Sequence, residues 1–209
     1  MGILTPALRV IREHRKAYIA INIGYYGIVL LFMVLVAGHQ GLQRSLIGSV
    51  GVGFSSAGPL GFLGQAYQSG QVGLAALYTF VLNLFAGSLL YITVPSLVVP
   101  FAGLLAGAIR AALWGLLLSP AMPELRLAMI PHSLTMLLEG QGYVLAVLGS
   151  YALWMTAFRG GPQSGGFLSR YWAGIRKSLH LYLVVIIMLA AAAIYEAVEV
   201  IYLVPRLVG

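Results

Sequence analysis

The chain of 209 residues holds few groups that could do acid–base chemistry near neutrality. Its five acidic residues are all Glu, its four imidazoles are His14, His39, His132 and His180, and it has no Cys. Three carboxylates, Glu139, Glu196 and Glu199, and one cation, Arg110, stand inside runs that otherwise read as hydrocarbon. His132 precedes Glu139 by seven residues, two helical turns, so the two side chains can share a helix face. As a metal site that pair is short of ligands. Hydrolysis within a membrane would need a Ser–His pair, paired Asp, or two His flanking a Glu on a helix. Asp is absent, and neither H-E-x-x-H nor G-x-S-x-G occurs. Without Cys there is no thiolate ligand, thiol nucleophile or disulfide. Gly51 and Gly53 superficially resemble a phosphate loop but have no Lys beside them and no buried strand before them. The expectation is therefore no catalytic residue, no metal and no cofactor.

What remains is a question of placement: which elements carry charged groups through apolar surroundings? The chain is 60% hydrophobic and 8% charged, with a mean hydropathy of +0.94. Soluble domains carry about 25% charged residues, so the solvent for this one is a lipid bilayer. The net charge of +7 is assigned to basic cytoplasmic loops and not to nucleic-acid binding.

The expected fold is an all-α, polytopic transmembrane bundle in a single integral membrane domain over 1–209. Five spans are expected, at about 18–37, 72–93, 96–118, 132–157 and 179–204. The first is longer than the roughly 7–15 apolar residues of a secretory signal, and it reads as a retained anchor. The Gly-rich connection between spans 1 and 2 is expected to be flexible, re-entrant or interfacial. The charge-free run 72–109 would extend ~57 Å as one helix, too far for one crossing. Because the residue before Pro is pushed out of helical geometry, Pro95 and Pro100 place a tight turn near 93–96. Arg9, Arg12, Arg15 and Lys16 at one end, with Arg159, Arg170, Arg176 and Lys177 in a polar loop over 159–178, predict N-in and C-out. The localisation that follows is multi-pass in a prokaryotic cytoplasmic (inner) membrane.

On this topology Arg110, Glu139 and Glu196 each fall ~10–12 Å below the outer face, at 1.5 Å per helical residue. Arg110 alone could snorkel to the interface; a carboxylate reaches less far and needs a partner or a water-filled cavity. The expectation is that Arg110 pairs with Glu139 or Glu196 within the bundle. Interhelical glue and a path for a proton, ion or polar solute are both consistent with such a layer. His132, just after Pro131, is expected at the interface or capping span 4. The lone amides Asn22 and Asn83 are expected to hydrogen-bond between helices. Gly103 and Gly107 form a GxxxG whose first use is packing within the chain; a homo-oligomer seam is its alternative use. Gly140 and Gly142 read as room for close helix approach beside Glu139.

The pattern resembles the stage II sporulation protein M family of integral membrane proteins. Residues carrying the resemblance are Pro131, His132 and Glu139 with the following GYVLAVLGSY, the segment AAAIYEAVEVIYLVP with Glu196, and Asn83 with LVVPFAGLLAGAI. It departs at Ser133, where the family usually has Gly, and at Met136, where it has Glu; here the carboxylate arrives three residues later. The resemblance implies a non-enzymatic membrane scaffold. With no catalytic constellation and little soluble loop, the expected function is a scaffold or accessory subunit of a larger membrane assembly. Its partners would be the lipid bilayer and other membrane subunits. The alternative is a transporter or channel component using the Arg/Glu cluster.

Overall fold

The computed structural model describes residues 2–159 and 166–208, which contain helices and no strand. A short amphipathic helix α1 (Thr5–Glu13) leads into α2 (Arg15–Ala37). Then come α3 (Gln40–Phe54) and α4 (Gly61–Gln68). α5 (Val72–Val81) runs through a π-helical segment (Leu82–Thr93) into α6 (Val94–Val98), and α7 (Ala102–Leu117) follows. After the single turn α8 (Pro123–Arg126) comes α9 (Met129–Phe158). The last helix is α10 (Phe167–Val198), continued by a second π segment (Glu199–Leu203) and α11 (Val204–Val208).

Three helices are long and apolar enough to cross a bilayer: Arg15–Ala37, Val72–Val98 and Phe167–Val208. α7 is apolar but has only 16 residues. α9 sits at the centre: Tyr143 through Ser150 are all buried, packed by α10, α2, α7 and the first π segment. A helix enclosed by other helices need not be uniformly apolar, which is how α9 carries His132, Glu139 and Gln141. Its seam with α10 is close. A Cβ added at Gly142 would come within 2.6 Å of Leu189, and one at Gly174 within 2.5 Å of the Leu153 carbonyl. Gly103 and Gly107 of the GxxxG likewise face Ser150 and Val147 of α9, so this motif packs within the chain.

Three expected boundaries move. The turn between the second and third apolar stretches lies at Val99–Phe101, not at 93–96, and Phe101 there is left-handed (φ 60°). The helix passes Pro95 because the preceding turns are π-helical. Proline lacks an N–H and its ring presses on the carbonyl four residues back, and the wider i→i+5 turn gives that contact room. The second π segment also ends immediately before a Val-Pro, Val204–Pro205, as the first ends before Val94–Pro95. The loop expected over 159–178 is helical from Phe167, so Arg170, Arg176 and Lys177 ride on the first turns of α10; residues 160–165 lie outside the described residues.

The third change concerns the Gly-rich connection, which is a helical hairpin and not a flexible strand of chain. α4 folds back on α3 so closely that a Cβ at Gly64 would collide with the Phe54 carbonyl, and one at Gly61 would lie 2.6 Å from that of Ser55. α3 is tied to the end of α7: Gln43 Nε2 donates to the carbonyls of Leu117 (3.1 Å) and Ser119 (2.9 Å). α4 packs on α5 and the second π segment. At the opposite end of the bundle α1 packs on α10, and Lys177 is bonded to Glu13. The basic residues flanking α2 and those opening α10 therefore share one end.

Candidate functional site

α7 and α9 bring the first pair together. Arg110 Nη2 donates to Glu139 Oε1 at 3.1 Å and also to the Tyr143 hydroxyl. Tyr143, one turn beyond Glu139 on α9, donates to the same carboxylate oxygen at 2.6 Å. The guanidinium carbon lies 3.8 Å from the Tyr143 ring centroid, where the ring's negative face favours a cation. The side chains of Arg110 and Glu139 are 21% and 8% exposed. An Arg snorkelling away from the bundle is thereby excluded. Of the two partners foreseen for Arg110, the structure selects Glu139.

A second pair joins α9 to the end of α10. His132 Nδ1 lies 2.9 Å from Glu199 Oε1, and Thr135 donates to the other oxygen at 2.5 Å. α9 begins at Met129, so His132 lies inside the helix and bridges to a neighbour; it does not cap. Glu199 is 1% exposed. It opens the second π segment, whose changed spacing separates it from the regular α-helical run that carries Glu196.

Glu196 makes no hydrogen bond or ion pair among the described residues. It lines a cleft of about 760 Å³ between the first π segment, α7, α9 and α10, with the α3–α4 hairpin at one side. Arg110, His132 and Glu139 line the same cleft. Arg110, Glu139 and Glu196, expected in one layer, thus border one cleft from three helices. Asn83 also faces this cleft and has no hydrogen bond among the described residues, contrary to the interhelical bond expected of it. A π-helical stretch rotates its residues relative to an α-helix, and Asn83 stands at the second position of that stretch.

Asn22 belongs elsewhere. Its amide nitrogen donates to the Tyr18 carbonyl of its own helix at 2.9 Å, while its oxygen accepts from Gln141 of α9 at 2.6 Å. Gln141 also accepts from the Tyr18 hydroxyl (2.8 Å). This network fastens α2 to α9 and adds nothing to the cleft. Gly140 beside it gives the Tyr26 hydroxyl its room: a Cβ there would lie 2.6 Å from that oxygen.

Sequence reasoning missed Tyr143, Thr135 and Gln141. Tyr143 had a signal, four residues after Glu139 on one helix face. Thr135 and Gln141 had none of comparable strength, because their roles depend on which helix lies opposite. Among the described residues no group of three or more His, Cys, Asp or Glu is placed to hold a metal ion.

No family model, curated protein or solved structure matches the chain.

Proposed function

We propose that this chain is a non-catalytic, multi-pass membrane protein that serves as a scaffold or accessory subunit of a larger membrane assembly. In this reading it has five spans, N-in and C-out, in a prokaryotic cytoplasmic membrane. α7 and α9 complete the three strongly apolar helices, and the end bearing Arg12, Lys16, Arg170 and Lys177 is cytoplasmic. The observation that carries the proposal is an unfilled small-residue face on α3. Glycines of the bundle interior, such as Gly107 and Gly142, are already met by neighbouring side chains. Gly41 and Gly48, with Ser45 between them on one face, are exposed, and nothing lies within 4 Å of a Cβ built on either glycine. Small residues let another helix approach closely, so this face, edged by the exposed Arg44–Glu124 ion pair, fits a partner helix docking on the hairpin. The resemblance to stage II sporulation protein M, carried by Pro131, His132 and Glu196, leads to the same scaffold role. The engagement of Glu139 and Glu199 in interhelical bonds supports a non-enzymatic one.

The test is co-purification after gentle extraction from native membranes. A stoichiometric membrane partner is expected, and it should be lost in Gly48→Leu while the bundle's thermal stability is kept. A monodisperse chain with no partner would end this reading.

A second reading has its own observation: the cleft containing Glu196 and Asn83. A transporter or channel component would use such a polar wall for a proton, ion or small solute. Solute flux in liposomes that disappears in Glu196→Gln would favour it over the scaffold.

A further inference from the structure

The carboxyl groups lining the cleft are not all partnered among the described residues. Arg110 is matched by Glu139 at 3.1 Å, and His132 is matched by Glu199 at 2.9 Å. Glu196 is left over, without a hydrogen bond or ion pair among the described residues, on the wall of a cavity of about 760 Å³. That volume falls in the range of roughly 300–1,000 Å³ typical of small-molecule sites. Beside the polar Asn83, Thr79 and Thr135, the lining is largely aromatic and aliphatic, with Tyr67, Tyr91 and Trp114 among Leu82, Leu113 and Leu117. Tyr91 is 39% and Leu113 47% exposed, so the apolar side of the cleft is open between the first π segment and α7. The Tyr67 hydroxyl is already bonded to Thr79 at 2.8 Å. Arg110 donates from Nη2 alone; its Nε is buried without a partner, and Nη1, beside Gly87, makes no hydrogen bond among the described residues.

We infer that this cleft binds an apolar organic cation, with Glu196 as its counter-charge and the Tyr67, Tyr91 and Trp114 rings around it. Three features select that chemistry. A carboxyl group without a partner can ionise against a cation brought beside it, and in surroundings of low dielectric that attraction is stronger than in water. Aromatic faces attract cations, most strongly when these are poorly hydrated organic ones. The aliphatic lining on the open side favours a ligand that carries apolar surface with it, over a hydrated metal ion that would need several oxygen ligands. The inference goes beyond both functional readings, because occupancy requires neither a protein partner nor flux.

Tetraphenylphosphonium is the probe, titrated into the full chain in nanodiscs of zwitterionic lipid and followed by calorimetry. Tetraphenylborate, alike in size and shape but anionic, is the control. Saturable binding of the cation alone is expected, weakened at least tenfold in Glu196→Gln and several-fold in Tyr91→Ala. Tyr91 makes no hydrogen bond among the described residues and stands at the open side, so its removal leaves the bundle intact; thermal melts of both variants check this. Equal uptake of both ions would reveal simple partition into lipid and overturn the proposal. So would cation binding that is unchanged in folded Glu196→Gln, or no saturable binding by the unmodified chain.

Discussion

Arg110 shows how far a single residue can commit a bundle. Its guanidinium leaves water only because Glu139 and Tyr143 replace the lost hydration, and removing one member of a buried pair strands the other. Arg110→Met should therefore destabilise the protein by about 2–3 kcal/mol, below the roughly 3–5 kcal/mol of a fully enclosed pair because Arg110 keeps some exposure. Arg110→Met with Glu139→Met should recover most of the loss, as read from unfolding in mixed micelles. A single mutant as stable as the parent would show the pair to be incidental.

His14 offers a different test, at the junction of α1 and α2 outside the apolar spans. Burial lowers its pKa below the ordinary 6.5; Glu13 opposes the shift, and Lys177 and Arg159 add to it. The folded state thus binds the proton less readily than the unfolded one, so stability rises with pH and is lost as pH falls below about 6.5. The docking of α1 on α10 should loosen progressively as pH falls below the ordinary 6.5 of a free His, visible as faster amide exchange in α1. His14→Gln should flatten that dependence.

Among the elements, the α3–α4 hairpin separates composition from conformation. Its glycines read as flexibility, yet Gly64 works as contact, against the Phe54 carbonyl. Gly64→Ala should cost about 1–3 kcal/mol, the usual range for overpacking, and open the hairpin to protease while the bundle stays folded. Gly48→Ala, with open space around its Cβ, should leave the hairpin protected. The two π segments make a related point. A Val-Pro is legible in the sequence, but whether the helix breaks there or widens depends on what packs against it. Ser88 and Thr93 of the first π segment both bond the Tyr182 hydroxyl of α10, at 3.0 and 2.6 Å, and these contacts hold the chain helical past the expected turn.

At the scale of the whole molecule the basic residues are sorted by end. The absence of native Cys permits a clean test of sidedness: Ser169→Cys should react with a membrane-impermeant thiol reagent only from the cytoplasmic side, and Gln68→Cys only from the outside. Reaction of both from one side would overturn the N-in, C-out topology.

The sequence by itself determined the apolar, all-helical character of the chain, the main apolar stretches, and the set of charged groups that lipid would force together. It could do so because solvation cost is a property of each residue type, whatever its neighbours. Pairing was legible only for Arg110, since one cation and few carboxylates at one depth left few choices. Only the tertiary structure decided that Glu139 takes Arg110 while Glu199 takes His132 across 67 residues, leaving Glu196 unmatched. The same holds for the exposure of Asn83 to a cleft instead of a helix, and for the closely packed helical hairpin made from glycines. Helix rotation and crossing choose such partners, and two π segments alter that rotation in ways that no local pattern specifies.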